Sequence, residues 1–255
     1  MKIIITKLIV ALLFSCQLVI SQTQITEVKY QVKDNKPSLV DSIVFSYNSS
    51  GQLSEARFNN SEPISSKTYL YNAAGKLTEE KHYKYTDLRN TYKYEYDKSG
   101  RLTKEKCYDS NNKLMFTNTL KYDSKGNMIR KKSDISTGIR IDNSYDSQNR
   151  NYKSIVSGNS RNQKEIEYLY DDKSRIQQET IFQSLKNSKK GKRYQQSKIR
   201  YVYDDTGRLT EKHNYLTEDV IEKFKYTYGD NGKLAKWEKL SPQGKLEFIV
   251  EYRYE

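Results

Sequence analysis

The chain is poor in the residues that most often mark a covalent framework or a reactive centre. Its 255 residues include two cysteines, two histidines and one tryptophan. Beyond the N-terminal segment that carries Cys16, Cys107 stands alone. An intramolecular disulfide is thereby excluded there, and stability has to come from packing. No run of about 20 apolar residues occurs after that segment, which excludes a membrane-spanning helix. Gly-x-Ser-x-Gly, a Walker loop, Cys-x-x-Cys and His-Glu-x-x-His are all missing, so no catalytic residue, metal or cofactor is expected. A mean hydropathy of −0.95 argues against one thick, leucine-rich core.

Present instead is a distinctive beginning. Lys2 and Lys7 precede a largely apolar run from Leu8 to Ile20. Residues 1–21 therefore read as a secretory signal peptide, with cleavage after Ser21 and a mature start at Gln22. The competing reading is lipidation at Cys16, because Leu13-Phe14-Ser15-Cys16 loosely resembles a lipobox. Lys2 and Lys7 leave with the segment and no acid does, so 43 basic residues face 32 acidic ones, a net +11. Such a surplus suits a polyanionic partner without requiring one. The expected location is outside the cytoplasm: periplasmic, on the cell surface or secreted.

The remaining chain, 22–255, repeats itself. Tyr94-Glu95-Tyr96-Asp97-Lys98-Ser99-Gly100-Arg101-Leu102 and Tyr201-Val202-Tyr203-Asp204-Asp205-Thr206-Gly207-Arg208-Leu209 are the cleanest copies. Others run through Gly51, Gly75 and Gly232, and degenerate ones centre on Tyr122, Tyr145 and Tyr170. The glycine position falls at 51, 75, 100, 126, 149 (Asn), 174 (Ser), 207 and 232, giving about eight units of about 25 residues.

Each part of the unit has a physical reading. The aromatic pair six and four residues before the glycine (−6 and −4) shares one strand face, which is the buried one. Asp or Asn at −3 opens a four-residue turn and accepts a backbone N–H two residues on; Asp97 and Asp204 are the clearest cases. Gly100 and Gly207 supply the positive φ that closes it, Asn149 is tolerated in that role, and Ser174 predicts a looser turn. Leucine at +2 restarts the buried face. A second, variable turn follows at Asp34-Asn35-Lys36-Pro37, Asp109-Ser110-Asn111-Asn112, Ser157-Gly158-Asn159 and Ser241-Pro242-Gln243-Gly244. The chain therefore reads as all-β: tandem antiparallel hairpins in a continuous meander of about 16 to 18 strands. One hairpin cannot offset its own ordering entropy, so neighbours must cover its edges and apolar face. A flat sheet of this width would bare that face, so the sheet should curl into a barrel-like or spiral wall.

These copies resemble the YD-repeat (rearrangement-hotspot type) family of bacterial proteins over about residues 42–255, matching it best at 96–102 and 203–209. The resemblance implies β-sheets wrapped into shells or spirals, often around a toxin cargo or as surface stalks, and it carries no catalytic residues. Two departures stand out: the period is nearer 25 than about 20, and no toxin domain follows. The Tyr252-x-Tyr254 pair reads as a ninth unit cut off before its turn, leaving an open edge at Tyr252–Glu255 that should recruit a strand or a second copy.

Candidate contact residues are few. Lys186, Lys189, Lys190, Lys192 and Arg193 form a basic loop in the longest inter-glycine interval, suited to phosphate or sulfate groups. Tyr83, Tyr108 and Tyr215 at +8, with Trp237, could form an aromatic platform for sugars, although packing is the simpler role. His82 and His213 lie seven and six residues after their glycines, on opposite faces by alternation, and share no metal site; Cys107 holds the unit position of His82. In Asp171-Asp172 and Asp204-Asp205 one member of each pair is already the turn cap rather than a calcium ligand. The expectation is a non-enzymatic exported module binding glycan or protein, with anionic polysaccharide or another envelope protein as partner and nucleic acid excluded. The alternative is a structural shell or secretion-associated component. An outer-membrane barrel conflicts with the charged strands Lys76–Tyr85 and Arg101–Tyr108.

Overall fold

Eighteen antiparallel strands follow one another and close on themselves. The computed structural model describes residues 23–59, 64–135, 138–158, 162–185 and 193–255. Residues 1–21, read above as a signal peptide, lie outside them with Cys16, as do Lys186, Lys189, Lys190 and Lys192. The strands are β1 (Gln24–Lys33), β2 (Lys36–Tyr47), β3 (Leu53–Phe58), β4 (Ser66–Tyr71), β5 (Leu77–Lys84) and β6 (Asp87–Tyr96). Next come β7 (Leu102–Asp109), β8 (Leu114–Tyr122), β9 (Met128–Ser133), β10 (Arg140–Tyr145), β11 (Asn151–Ser157) and β12 (Asn162–Tyr170). The last are β13 (Ile176–Leu185), β14 (Arg193–Tyr203), β15 (Leu209–Leu216), β16 (Asp219–Tyr228), β17 (Leu234–Leu240) and β18 (Leu246–Tyr254). Each pairs with its sequence neighbours, and β1 pairs with β18, from Ile25↔Tyr254 to Gln31↔Phe248. The expected open edge at Tyr252–Glu255 is therefore absent. The half-unit ending in Tyr254 is completed in space by β1, and Glu255 N–H donates to the Gln24 carbonyl at 3.1 Å. The chain termini thus make the backbone bond that a repeat turn makes elsewhere, as from Asp97 N–H to the Arg101 carbonyl.

The repeat turns form as their residues dictate. Asp or Asn at −3 accepts from the backbone two and four residues on, as Asp146 does from Gln148 and Arg150 at 2.9 Å each. Gly100 (φ 76°), Asn149 (φ 62°) and Ser174 (φ 60°) all take the left-handed conformation. The turn at Ser174 is not looser: its closing bonds of 2.9 and 3.1 Å match those of the others. Asp171 supplies two further bonds there, to Lys173 and Arg175, and these hold the serine in place.

Beside each −4 tyrosine from Tyr47 to Tyr228 the register shifts by one residue, as between Glu95 and Tyr96; at Tyr254, which pairs with β1, it does not. The extra residue sits at +3, where Thr78, Thr103 and Thr210 hydroxyls donate to carbonyls across the hairpin at 3.1–3.2 Å. Such bulges bend and twist the strand, and repeating one in every unit curls the sheet.

The tyrosine face points inward. Val250 (0% exposed) and Ala56 (1%) share it, whereas Leu70 (54%) and Leu169 (55%), each between two tyrosines, face out. A core of Ile25, Phe45, Ala56, Leu234, Val250 and Tyr252 spans the closure seam. Eighteen strands about 4.8 Å apart and tilted about 40° make a ring roughly 35 Å across, too wide for inward side chains to fill.

Candidate functional site

Near the repeat-turn end, neighbouring hairpins part. Pairing of β5 with β6 stops at Glu79↔Lys93, and that of β7 with β8 stops at Lys104↔Thr119. The −4 tyrosines span the gap. Tyr96 donates its hydroxyl to the Leu77 carbonyl at 2.7 Å, Tyr122 to Leu102 at 2.7 Å, Tyr203 to Ile176 at 2.9 Å and Tyr254 to Leu234 at 2.6 Å. The basic residue at +1 covers the next unit's ring: Arg101 lies 5.1 Å from Tyr122, and Arg175 4.6 Å from Tyr203. Its Nε also holds the turn carboxylate of its own unit, at 2.7 Å for Arg101–Asp97 and 2.8 Å for Arg208–Asp204. The backbone N–H and then the side chain of Arg101 hold the Asp97 carboxyl below the usual range, and the Thr206 hydroxyl, followed by the Arg208 backbone and side chain, does the same for Asp204. In these turns Gly100 N–H donates to the Asp97 carbonyl at 2.8 Å and Gly207 N–H to the Asp204 carbonyl at 3.0 Å.

A polar belt lies one layer deeper on the inner wall. The −6 tyrosines meet carboxylates: Tyr94 and Tyr201 donate to those of the preceding unit, Glu80 at 2.9 Å and Glu179 at 2.8 Å, and Tyr252 donates to Glu27 across the closure seam at 3.0 Å. Glu105, at the equivalent place, is held by Asn118 at 3.0 Å and Lys131 at 2.6 Å. Burial raises the Glu80 carboxyl, but the bond from His82, the charges of Lys67 and His82 and the bond from Tyr94 outweigh it and hold it at about 2. Glu27 goes the other way, because its burial exceeds what the Tyr252 hydroxyl returns. Burial also lowers Lys212, whose Nζ sits 4.1 Å from the centre of the Phe224 ring. The inner carboxylates are thus committed to partners in the wall.

The residues singled out in the sequence do not assemble into one site. Arg193 pairs with Glu165 and, at 2.5 Å, with Glu167, and lies 4.1 Å from the Phe182 ring. Its charge is therefore spent within the wall, while the other four members of the basic loop lie outside the described residues. Trp237 is on the inner face, opposite Val250 and 5.8 Å from Phe224. Tyr108 and Tyr215 face outward beneath Lys93 (5.2 Å) and Lys198 (5.0 Å), so they share no platform with Trp237. His82 is inward, 4.8 Å from Tyr92, with Cys107 paired to the same tyrosine. His213 is outward with Glu211 at 2.8 Å, which places the two histidines on opposite faces. Among the described residues no group of three or more His, Cys, Asp or Glu is arranged to hold a metal ion. The +1 cation and the inner belt were not singled out beforehand; the recurrent Arg or Lys after the glycine was the available signal.

No family model matches the chain, and no curated protein does. Solved structures do show likeness. The Tc holotoxin pore of Photorhabdus luminescens aligns with 84% of this chain at 13% identity and a TM-score of 0.38, and the chain spans 14% of that one. A porin-like protein from Bacteroides uniformis aligns over 93% of this chain and 99% of its own, at 12% identity and a TM-score of 0.48. A second porin-like protein, from Bacteroides vulgatus, covers 92% and 98% at 10% identity and a TM-score of 0.35.

Proposed function

We propose that the protein is an exported, non-catalytic barrel of the cell envelope or surface, a module that binds an anionic glycan through its outer wall. The observation that carries this reading is where charge is committed and where it is left over. Inner-wall carboxylates such as Glu27, Glu80, Glu105 and Glu179 are held by tyrosine, asparagine, histidine or lysine partners, an arrangement that rigidifies a wall. The net positive charge of the chain outside its signal segment is correspondingly available outside. Outward lysines such as Lys93, Lys121 and Lys132 carry it on the exterior of the barrel, where a lipid-facing apolar band would exclude it.

Binding of the purified protein to arrays of neutral and anionic glycans, at low and at moderate salt, tests this. Salt-sensitive binding confined to the anionic set is the expected result, since a charge-led contact weakens as ionic strength rises. Binding to neither set would sink the glycan reading. It would favour a structural envelope role, for which closure of the sheet into a wide ring is the relevant observation.

A further inference from the structure

Charge on the outer wall is uneven, and one place concentrates it. On β8, β9 and β10 the registers set Thr119 opposite Lys132 and Lys132 opposite Arg140, while Lys121 faces Arg130 and Arg130 faces Asp142. Four cations and one carboxylate thus occupy two adjacent rows of three strands. Arg130 and Arg140 both place Nε 2.6 Å from Asp142, which neutralises one charge between them. Among the described residues neither Lys121 nor Lys132 has an ion-pair partner. Thr119, Lys121, Arg130, Lys132 and Arg140 line a recess of about 340 Å³. That volume falls within the range of small-ligand clefts.

The arrangement is unfavourable for the sheet itself. Lys132↔Arg140 and Lys121↔Arg130 are like-charge pairs directly across from one another, which destabilises strand pairing. Elsewhere on the outer face the same chain sets opposite charges in contact: Lys81 meets Glu79 at 3.0 Å, Lys104 meets Glu95 at 3.5 Å, and Lys153 meets Glu165 at 2.9 Å. Like charges also face each other at Lys93↔Lys106 and, beside a turn, at Lys33↔Lys36, but Glu95 takes up Lys106, whereas the recess sets two such pairs in adjacent rows, a local conflict that marks a site with a use other than stability.

We infer that this recess binds a tetrahedral oxyanion ester, the sulfate or phosphate group of a polyanionic glycan. The glycan part of this inference rests on the function proposed above. Guanidinium forks of Arg130 and Arg140 offer paired donors to such a group, and Lys121 and Lys132 add point charge at its flanks. Asp142 fixes the two guanidinium groups through Nε and leaves their outer nitrogens for the ligand, apart from the 3.1 Å contact of Arg140 Nη2 with the same carboxylate.

The test compares the purified protein with a recess variant, Lys132→Gln with Arg140→Gln. A control, Lys223→Gln with Lys225→Gln, removes the same charge elsewhere on the outer wall. Binding to sulfated, phosphorylated and uncharged glycans is measured at low and moderate salt. The recess variant should lose about tenfold or more in affinity for one or both anionic classes and show a shallower salt dependence, with the control close to the unaltered protein. Whichever ester is favoured identifies the source of the oxyanion. Relief of like-charge repulsion should also raise the Tm of the recess variant at low salt, so lost binding cannot be ascribed to unfolding. Equal losses in recess variant and control would overturn the inference. If no glycan binds the unaltered protein, the functional reading fails, and inorganic sulfate and phosphate decide the recess separately. Thermal stabilisation by either ion that the recess variant lacks supports the site, and its absence from the unaltered protein overturns it.

Discussion

At the scale of single residues, tyrosine is the economical choice for this wall. Its ring covers apolar surface while its hydroxyl closes a hydrogen bond that the parted strands cannot make. Tyr96→Phe should destabilise the protein by about 1 kcal/mol, because the Leu77 carbonyl loses its donor, and urea unfolding measures this directly. The inner carboxylates give opposite signs. Glu80 is depressed from 4.5 to about 2, so its contribution is complete above pH 4.5 and is lost as pH falls toward 2. The size of that shift corresponds to about 3 kcal/mol. Glu80→Gln should therefore destabilise by about 2–3 kcal/mol at neutral pH, with the difference shrinking below pH 4.5; His82, Lys67, Tyr94 and Tyr69 are the groups that face it. Glu27 is raised by burial, so its charged form opposes folding at neutral pH. Glu27→Gln should raise the Tm at pH 7 and lose that advantage in acid, since Gln still accepts from Tyr252.

At the scale of the element, the repeated turn tolerates different residues at different cost. A Cβ on Gly100 would lie 2.6 Å from Lys76 Nζ, which itself donates to the Gly100 carbonyl at 2.7 Å. Gly100→Ala combines a left-handed residue with a displaced inter-unit bond and should cost about 1–2 kcal/mol. Ser174→Gly should gain a few tenths to about 1 kcal/mol, since serine already sits at φ 60°. Denaturation midpoints of the two variants should move in opposite directions. The far turns show where local reading fails. Tyr85 (φ 54°) and Thr217 (φ 52°) are the first residues of two-residue turns between Lys84↔Asp87 and Leu216↔Asp219. Neither residue type favours positive φ, so nothing in Tyr85-Thr86 or Thr217-Glu218 announces a turn. The strands on either side impose it.

For the whole molecule, closure is the decisive event. The seam of β1 with β18 carries the densest part of the core, including Val250 and Tyr252. Removing β1, residues 24–33, should expose one edge on β2 and another on β18. Size-exclusion chromatography of such a truncated chain is expected to show oligomers or aggregate in place of monomer, because unpaired edges recruit strands. A chain that stayed monomeric and fully folded would show that the remaining 17 strands can close or protect their own edges.

Much of this architecture is local and therefore legible from the residues. Period-two tyrosines, the Asp-x-x-Gly turn and its regular recurrence depend on interactions within about ten residues, and they specify hairpins, the buried face and the opposed placement of His82 and His213. The +1 arginine and +3 threonine also recur in the sequence, but their partners lie across a strand boundary, so their roles appear only once hairpins are set side by side. Three features depend on the tertiary structure alone. Whether a meander ends in an edge or a ring is decided by contact between residues more than 220 positions apart, such as Tyr252 with Glu27. The turns at Tyr85 and Thr217 are dictated by strand register. The basic recess arises because registers bring Lys121, Arg130, Lys132 and Arg140 together from three strands. Sequence proximity pointed instead to the loop ending at Arg193, whose described member is neutralised by Glu165 and Glu167. Charge along a chain records composition, whereas charge that a ligand can use depends on which counter-charges the fold places beside it.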